Sequence, residues 1–273
     1  MLAALLALLA AALVVSGCGA SLDPVAQAAT RTSDVSTLRF SMELKMQVPA
    51  VATAIPVTAD GAIDAAAHRM RLSMDLSKAA ALSGRSEAPT RMTLIEDGLT
   101  MYMSGAALGA ALPDGKSWVS LDLSKMSGLP GVDLSSLTSG PTDPRTSLAQ
   151  LEKAGNVVKV GSGEVRGAST TRYSVLVDLR QGLDKLEGAQ REAMETLLDR
   201  LGTAGRYVPA DVWVDEDGYL RRFRMAIPNY LGTGSSFSLT MDLFAFGEPV
   251  AIDVPAPSDV ADLTALVSGT PGG

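Results

Sequence analysis

From Leu38 the chain alternates without a break. Leu38, Phe40, Met42, Leu44, Met46 and Val48 are apolar, and Arg39, Ser41, Glu43, Lys45 and Gln47 between them are polar. Period two sustained this long predicts a half-buried β-strand, longer than most, and a strand of that length predicts a large curved antiparallel sheet. The pattern recurs at hairpin spacing. Over 69–76, Met70, Leu72, Met74 and Leu76 fall on one face and Arg71, Ser73 and Asp75 on the other, while 55–63 alternates more loosely. Residues 92–95 and 100–103 flank Glu96-Asp97-Gly98, and 208–214 and 219–227 flank Asp215-Glu216-Asp217-Gly218. Asp-Gly between two such runs is a hairpin turn. Strands are also expected over 118–123, 157–165, 170–179 and 237–246.

Helical signals are fewer. Asp23-Pro24 supplies an N-cap and a proline at the first helical position, opening a helix to about residue 33. Asp143-Pro144 opens a second, to about 154. The third, over 181–203, carries Leu183, Leu186, Met194, Leu197, Leu198 and Leu201 at helical spacing. Residues 127–144 are rich in Ser, Gly, Pro and Thr and read as a long loop or lid, and 255–273 as a trailing segment. About ten or eleven strands with three isolated helices indicate an α+β fold, the helices packed on one face of the sheet. Ser73-Met-Asp-Leu-Ser-Lys78 and Ser120-Leu-Asp-Leu-Ser-Lys125 nearly coincide. Each is read as a strand leaving the sheet rather than as a duplication.

The N-terminus is of another kind. Residues 2–15 are Leu, Ala and Val only, the length of a signal h-region and short of the ~20 residues that span a bilayer. Val15-Ser16-Gly17-Cys18 follows and resembles the lipobox of bacterial lipoproteins. That resemblance implies a signal peptide over 1–17, diacylation of Cys18 after cleavage, a tether over 18–22, a folded domain over 23–257 and a tail over 258–273. No Lys or Arg precedes the apolar run, which fits a start codon placed too late. The competing reading is a buried N-terminal helix with a core cysteine.

Composition narrows the chemistry. The net charge of −7 disfavours nucleic acid. One cysteine and one histidine, His68, leave no thiolate cluster, disulfide or histidine triad. There is no Gly-rich phosphate loop and no Gly-x-Ser-x-Gly elbow. His68 reads as a hairpin-end residue. Asp215, Glu216 and Asp217 lack the alternating ligands of a calcium loop and read as a polar hairpin tip. No catalytic residue, metal ligand or cofactor is nominated. The positive signal is methionine, twelve in all against 4% aromatic residues. Met42, Met46, Met70, Met74, Met92, Met101, Met103, Met225 and Met241 all fall in expected strands, where Val or Ile is the usual choice. An unbranched, polarizable side chain suits a ligand of variable shape. On the residues alone, a soft core accounts for them equally well.

Further segments resemble the actinobacterial lipoprotein group that includes LppX, LprA, LprF and LprG, within the LolA-like superfamily. The resemblance lies in Asp143-Pro144 with Leu148 and Leu151, and in Val157-Val158-Lys159-Val160-Gly161 followed by Glu164-Val165-Arg166-Gly167 and Thr170-Thr171-Arg172-Tyr173. It continues in Val212-Trp213-Val214-Asp215 with Gly218-Tyr219-Leu220-Arg221-Arg222. It implies a strongly curved antiparallel half-barrel with helices on its concave face, enclosing an apolar cavity for acyl chains of a lipid or lipoglycan. The residues then expected to line that cavity are Met42, Leu44, Met46, Met70, Leu72 and Met74. A membrane lipid exporter is the further partner such a carrier implies. Three function classes follow: a lipid-binding or lipid-transfer lipoprotein, a non-enzymatic envelope scaffold without a ligand, and, last, an exported hydrolase.

Overall fold

The computed structural model describes residues 23–49, 54–82, 90–105, 115–126, 155–178, 207–229 and 232–263, with Leu108, Leu112 and scattered positions between 180 and 202. Cys18, the loop expected over 127–144 and the helix expected to reach 154 lie outside the described residues. Of the helix expected over 181–203, Leu183 lies in a 3-10 turn, and Arg191, Glu192, Glu195, Thr196, Leu198, Asp199 and Gly202 are α-helical.

The chain enters through α1 (Pro24–Ser33). Asp23 caps it, accepting the Val25 N–H at 2.8 Å, with Pro24 in the first turn where its missing N–H costs nothing. Val25, Ala28, Ala29 and Thr32 are buried, the spacing of one helical face. Six strands follow: β1 (Thr37–Gln47), β2 (Ile55–Asp64), β3 (Arg69–Asp75), β4 (Arg91–Asp97), β5 (Thr100–Gly105) and β6 (Trp118–Asp122). A short helix, α2 (Ser77–Leu82), interrupts them after β3. The second set is β7 (Gly155–Val165), β8 (Ala168–Asp178), β9 (Tyr207–Asp215), β10 (Leu220–Pro228), β11 (Ser236–Phe244) and β12 (Val260–Asp262).

All twelve strands form one open, curved sheet in the order β12-β6-β5-β4-β3-β2-β1-β11-β10-β9-β8-β7. Neighbours are antiparallel except β12, which lies parallel to β6. The first and second halves of the chain therefore meet at the β1–β11 pair in the centre. A half-barrel fits this arrangement.

The strand total exceeds the ten or eleven expected because the segment read as trailing contributes β12. After β11 the chain runs on past the start of β1, where Gly247 donates to the Thr37 carbonyl and Thr37 Oγ1 to the Glu248 carbonyl, each at 2.8 Å. It ends beside β6, where Lys116 Nζ donates to the Ser258 carbonyl at 2.8 Å and the Ser117 N–H to that of Asp259 at 3.0 Å. The near-repeat is a pair of strand exits. Asp75 Oδ1 accepts the Ser77 N–H at 2.8 Å where β3 gives way to α2, and Asp122 Oδ1 accepts the Ser124 N–H at 3.0 Å where β6 gives way to a 3-10 turn.

Candidate functional site

Direct partners in an antiparallel ladder point to the same side of the sheet, so the register decides which predicted residues meet. Met42 lies between Ala59 and Met241, Leu44 between Val57 and Leu239, and Met46 between Ile55 and Phe237. Met74 lies between Ala59 and Met92, Leu72 between Gly61 and Leu94, and Met70 opposite Ile63. All six predicted residues therefore share one face. Met101, Met103, Phe223, Met225, Val212 and Tyr173 extend it across the neighbouring strands.

Burial along this face is graded. At the end where β1 begins, Leu38, Phe40, Ile63, Met70, Leu72 and Leu243 are buried and form one cluster with Val25, Ala28 and Ala29 of α1. Gly61 makes the packing possible: a Cβ there would meet the Phe40 ring, 2.7 Å from its Cε1, and the Arg71 carbonyl. Towards the other end of β1, β2, β3 and β11, Met42, Leu44, Met46, Met74, Ile55, Val57, Phe237 and Leu239 are only half-buried, whereas Val177, Val208, Ala210 and Ile227 at that end of β8–β10 are buried. The predicted set is thus divided. Met70 and Leu72 belong to the sealed half, and Met42, Leu44, Met46 and Met74 to the open half.

The opposite face carries a network that sequence reasoning missed. Arg222 grips Asp242 with two hydrogen bonds of 2.6 and 2.8 Å, and this bonding holds its guanidinium above the ordinary arginine value. Arg172 pairs with Asp211 at 2.7 Å, and the Arg172 and Arg222 guanidinium groups lie 5.3 and 5.9 Å from the Trp213 ring centroid. Arg166 donates to Ser41 Oγ at 2.8 Å and stands 4.0 Å from the Phe244 centroid. It also occupies a left-handed backbone conformation, φ 50°, at the two-residue turn with Gly167. Arginine where Asn-Gly is usual was the only sequence signal of this role.

Two concavities among the described residues lie away from the methionines. One, of about 240 Å³, is lined by Arg180, Leu183, Glu195, Leu198 and Asp199. The other, of about 400 Å³, is lined by Ser162, Gly163, Glu164, Ser169, Thr170, Thr171, Asp215 and Glu216, hydroxyls and acids such as a hydrolase would bring together. Its buried acid is engaged: Asp215 accepts from the Tyr219 N–H at 2.7 Å and from Arg221 Nε. Thr170 Oγ1 donates to the Gly163 carbonyl at 2.9 Å. Among the described residues, neither histidine nor lysine lines the cleft to activate a serine. Asp215 thus closes its own hairpin. His68 is exposed at the β2–β3 turn with φ 52°.

One curved, mostly antiparallel sheet with a helix packed on its apolar face defines a single-sheet half-barrel. Among solved structures this is the fold of the Mycobacterium tuberculosis lipoprotein LppX, with a TM-score of 0.50 and 17% identity over 87% of this chain and 100% of that one. LprF from Mycobacterium bovis gives a TM-score of 0.48 and 15% identity over 85% and 95% of the two chains. A 31.2 kDa uncharacterised protein of Streptomyces griseus, encoded between rplA and rplJ, is 29% identical over 170 residues. That match covers 60% of this chain and 54% of the relative, so the chain spans about half the length of the curated protein it matches. No family model matches the chain.

Proposed function

We propose that this chain is an extracytoplasmic, non-enzymatic lipoprotein, anchored through a diacylated Cys18, that holds acyl chains of a lipid or lipoglycan against the apolar face of its sheet. The observation that carries the reading is the half-buried end of that face, where Met42, Leu44, Met46 and Met74 meet Ile55, Val57, Phe237 and Leu239. Flexible thioethers there adapt to chains of differing length and unsaturation at little cost in strain. The LppX fold and the Val-Ser-Gly-Cys string support the reading from two independent sides. Carriage of the lipid between membrane and cell envelope, with a membrane exporter as partner, is the transport role this binding serves.

The scaffold reading draws on the packing of Met70 and Leu72 in the sealed half. Native mass spectrometry of the mature chain after gentle purification separates the two. A carrier retains copurified lipid, with mass increments of whole acyl lipids. A chain that stays ligand-free and also leaves a fluorescent fatty-acyl probe unbound is a scaffold.

A further inference from the structure

Val158 is 55% exposed, Leu176 37% and Tyr207 48%, and all three stand on the polar face of the sheet. The alternation fixes the side. Leu176 lies between Val175 and Val177, which are buried in the core cluster, so it points the other way, with Ser174 and Arg172. Tyr207 and the exposed Pro209 alternate with buried Val208 and Ala210 in the same manner. Val158 pairs with Ser174, Leu176 with Pro209, and Tyr207 with Asp178. Val158 is therefore diagonal to Leu176, and Pro209 is one step along β9 from Tyr207. The four make one apolar strip across β7, β8 and β9.

Arginines and a tryptophan border that strip. The next row across the strands runs Ser174, Asp211 and Arg224, and the row beyond it Arg172, Trp213 and Arg222. The acids of this region are already engaged. Asp211 holds Arg172, Asp242 holds Arg222 and Arg166, and Asp178 Oδ1 accepts the Arg180 N–H at 3.0 Å. Arg224 is exposed and has no ion pair among the described residues, although its cross-strand partners are Asp211 and Thr240. A chain of net charge −7 thus presents a cation without an acid beside its exposed apolar strip.

We infer that this part of the polar face docks another protein, through a segment that sets an acidic residue beside an apolar ridge. Tyrosine, tryptophan and arginine carry most of the binding energy of protein interfaces, and Tyr207, Trp213 and Arg224 stand together here. Trp213 is already held between the Arg172 and Arg222 guanidinium groups, so docking costs it little rotamer freedom. The charge selects the occupant. An incoming carboxylate completes Arg224, whereas a second copy of this chain laid face to face brings another unpaired Arg224 against the first. A polyanion without apolar groups would use the arginines and leave Val158, Leu176 and Tyr207 in water. The inference concerns the face opposite the methionines and needs neither the anchor nor the acyl chains.

The test is photocrosslinking of the full chain in its own cells, with Tyr207, Leu176 or Leu99 replaced in turn by p-benzoylphenylalanine. Leu99, 53% exposed in the β4–β5 turn, is the control. Positions 207 and 176 should give a discrete adduct with the same protein and position 99 should not. The crosslinked peptide, identified by mass spectrometry, should carry Asp or Glu next to apolar residues. Arg224→Glu should lower the adduct at 207 at least ~5-fold, because like charges then meet, and Arg224→Lys should retain it. Both variants change an exposed side chain, so their thermal midpoints should match wild type and exclude misfolding as the cause. No adduct at 207 and 176, an adduct of the chain with itself or with lipid or glycan, or one indifferent to Arg224→Glu overturns the inference.

Discussion

Arg166 and Asp242 meet at 3.4 Å on the polar face of the sheet, although β9 and β10 lie between the β7–β8 hairpin and β11. The hairpin tip is therefore folded back over its neighbours and clasped to the centre of the sheet, with Arg222 holding the same carboxylate from β10. Removing Asp242 leaves two guanidinium groups facing each other without their acid. Asp242→Ala should cost about 2–3 kcal/mol, towards the lower side for stripping a buried pair because the groups are partly solvated. Arg166→Asn, which retains a residue tolerant of the left-handed turn, should cost about 1 kcal/mol. Urea unfolding of both variants and their double mutant measures the coupling, and strict additivity would show that the clasp carries no energy.

Gly61 is the tightest point of the sealed half. Its absent side chain leaves room for the Phe40 ring on one flank and the Arg71 carbonyl on the other. Gly61→Ala should destabilise by about 2–4 kcal/mol, since a backbone carbonyl cannot move aside as a side-chain tip can. Adding Phe40→Leu should recover only part of the loss. Full recovery would place the clash with the ring alone, and an unchanged thermal midpoint in the single variant would refute the packing argument.

How legible this molecule was in its sequence depends on the range of the interaction. Alternation over 38–48 was enough to put Phe40, Met42 and Leu44 on one face, and the register with β2 and β11 bears this out. Alternation is blind to position along the strand, so it did not separate sealed Leu72 from half-open Met74. That boundary depends on where α1 and the bulky Phe40 pack. β12 is three residues long, parallel, and reached by an aperiodic crossing, so nothing local announces it. The Arg166–Ser41 bond joins residues 125 apart in sequence through a turn that bends over the sheet. For the apolar face, the residue types were readable and the depth of burial at each was not.

The two strand exits make a pH prediction. The Ser77 hydroxyl and backbone N–H hold Asp75 below the ordinary carboxyl value, and the Ser124 hydroxyl, with Lys125, does the same for Asp122. A carboxyl whose folded value is depressed stabilises the fold while it is charged in both states. The contribution is full above about pH 5 and is lost as pH falls below about 4, through the folded values. The double variant Asp75→Asn with Asp122→Asn should therefore be less stable than wild type at pH 6, by a margin that narrows as pH falls below about 4. A stability gap between the two that does not shrink with acid would remove these carboxylates from the account.

Cys18→Ala addresses the anchor in cells. Without the thiol there is no diacylglycerol and no cleavage before residue 18, so the chain should run as an unprocessed precursor or appear in the soluble fraction. Two acyl chains give stable membrane residence where one gives marginal residence, so the shift in fractionation should be near complete. Processed protein that sediments with membranes as wild type does would end the lipoprotein reading.

The graded face predicts opposite outcomes for one substitution at two neighbouring positions. Leu72 is 2% exposed, between Gly61 and Leu94, so Leu72→Trp must force an indole into filled space. The cost should be about 3 kcal/mol, at the upper end of overpacking penalties, with acyl-probe binding altered only through the loss of folded protein. Met74 is one pair further along the same strand, half-buried between Ala59 and Met92. There Met74→Trp should change the thermal midpoint by less than about 1 kcal/mol equivalent, because the ring extends into the open half. It should also lower the capacity for a fluorescent fatty-acyl probe several-fold, since it fills the space the chain would occupy. Equal destabilisation at both positions, with no probe bound by wild type, would mean that the face is packed throughout and that the methionines serve a soft core.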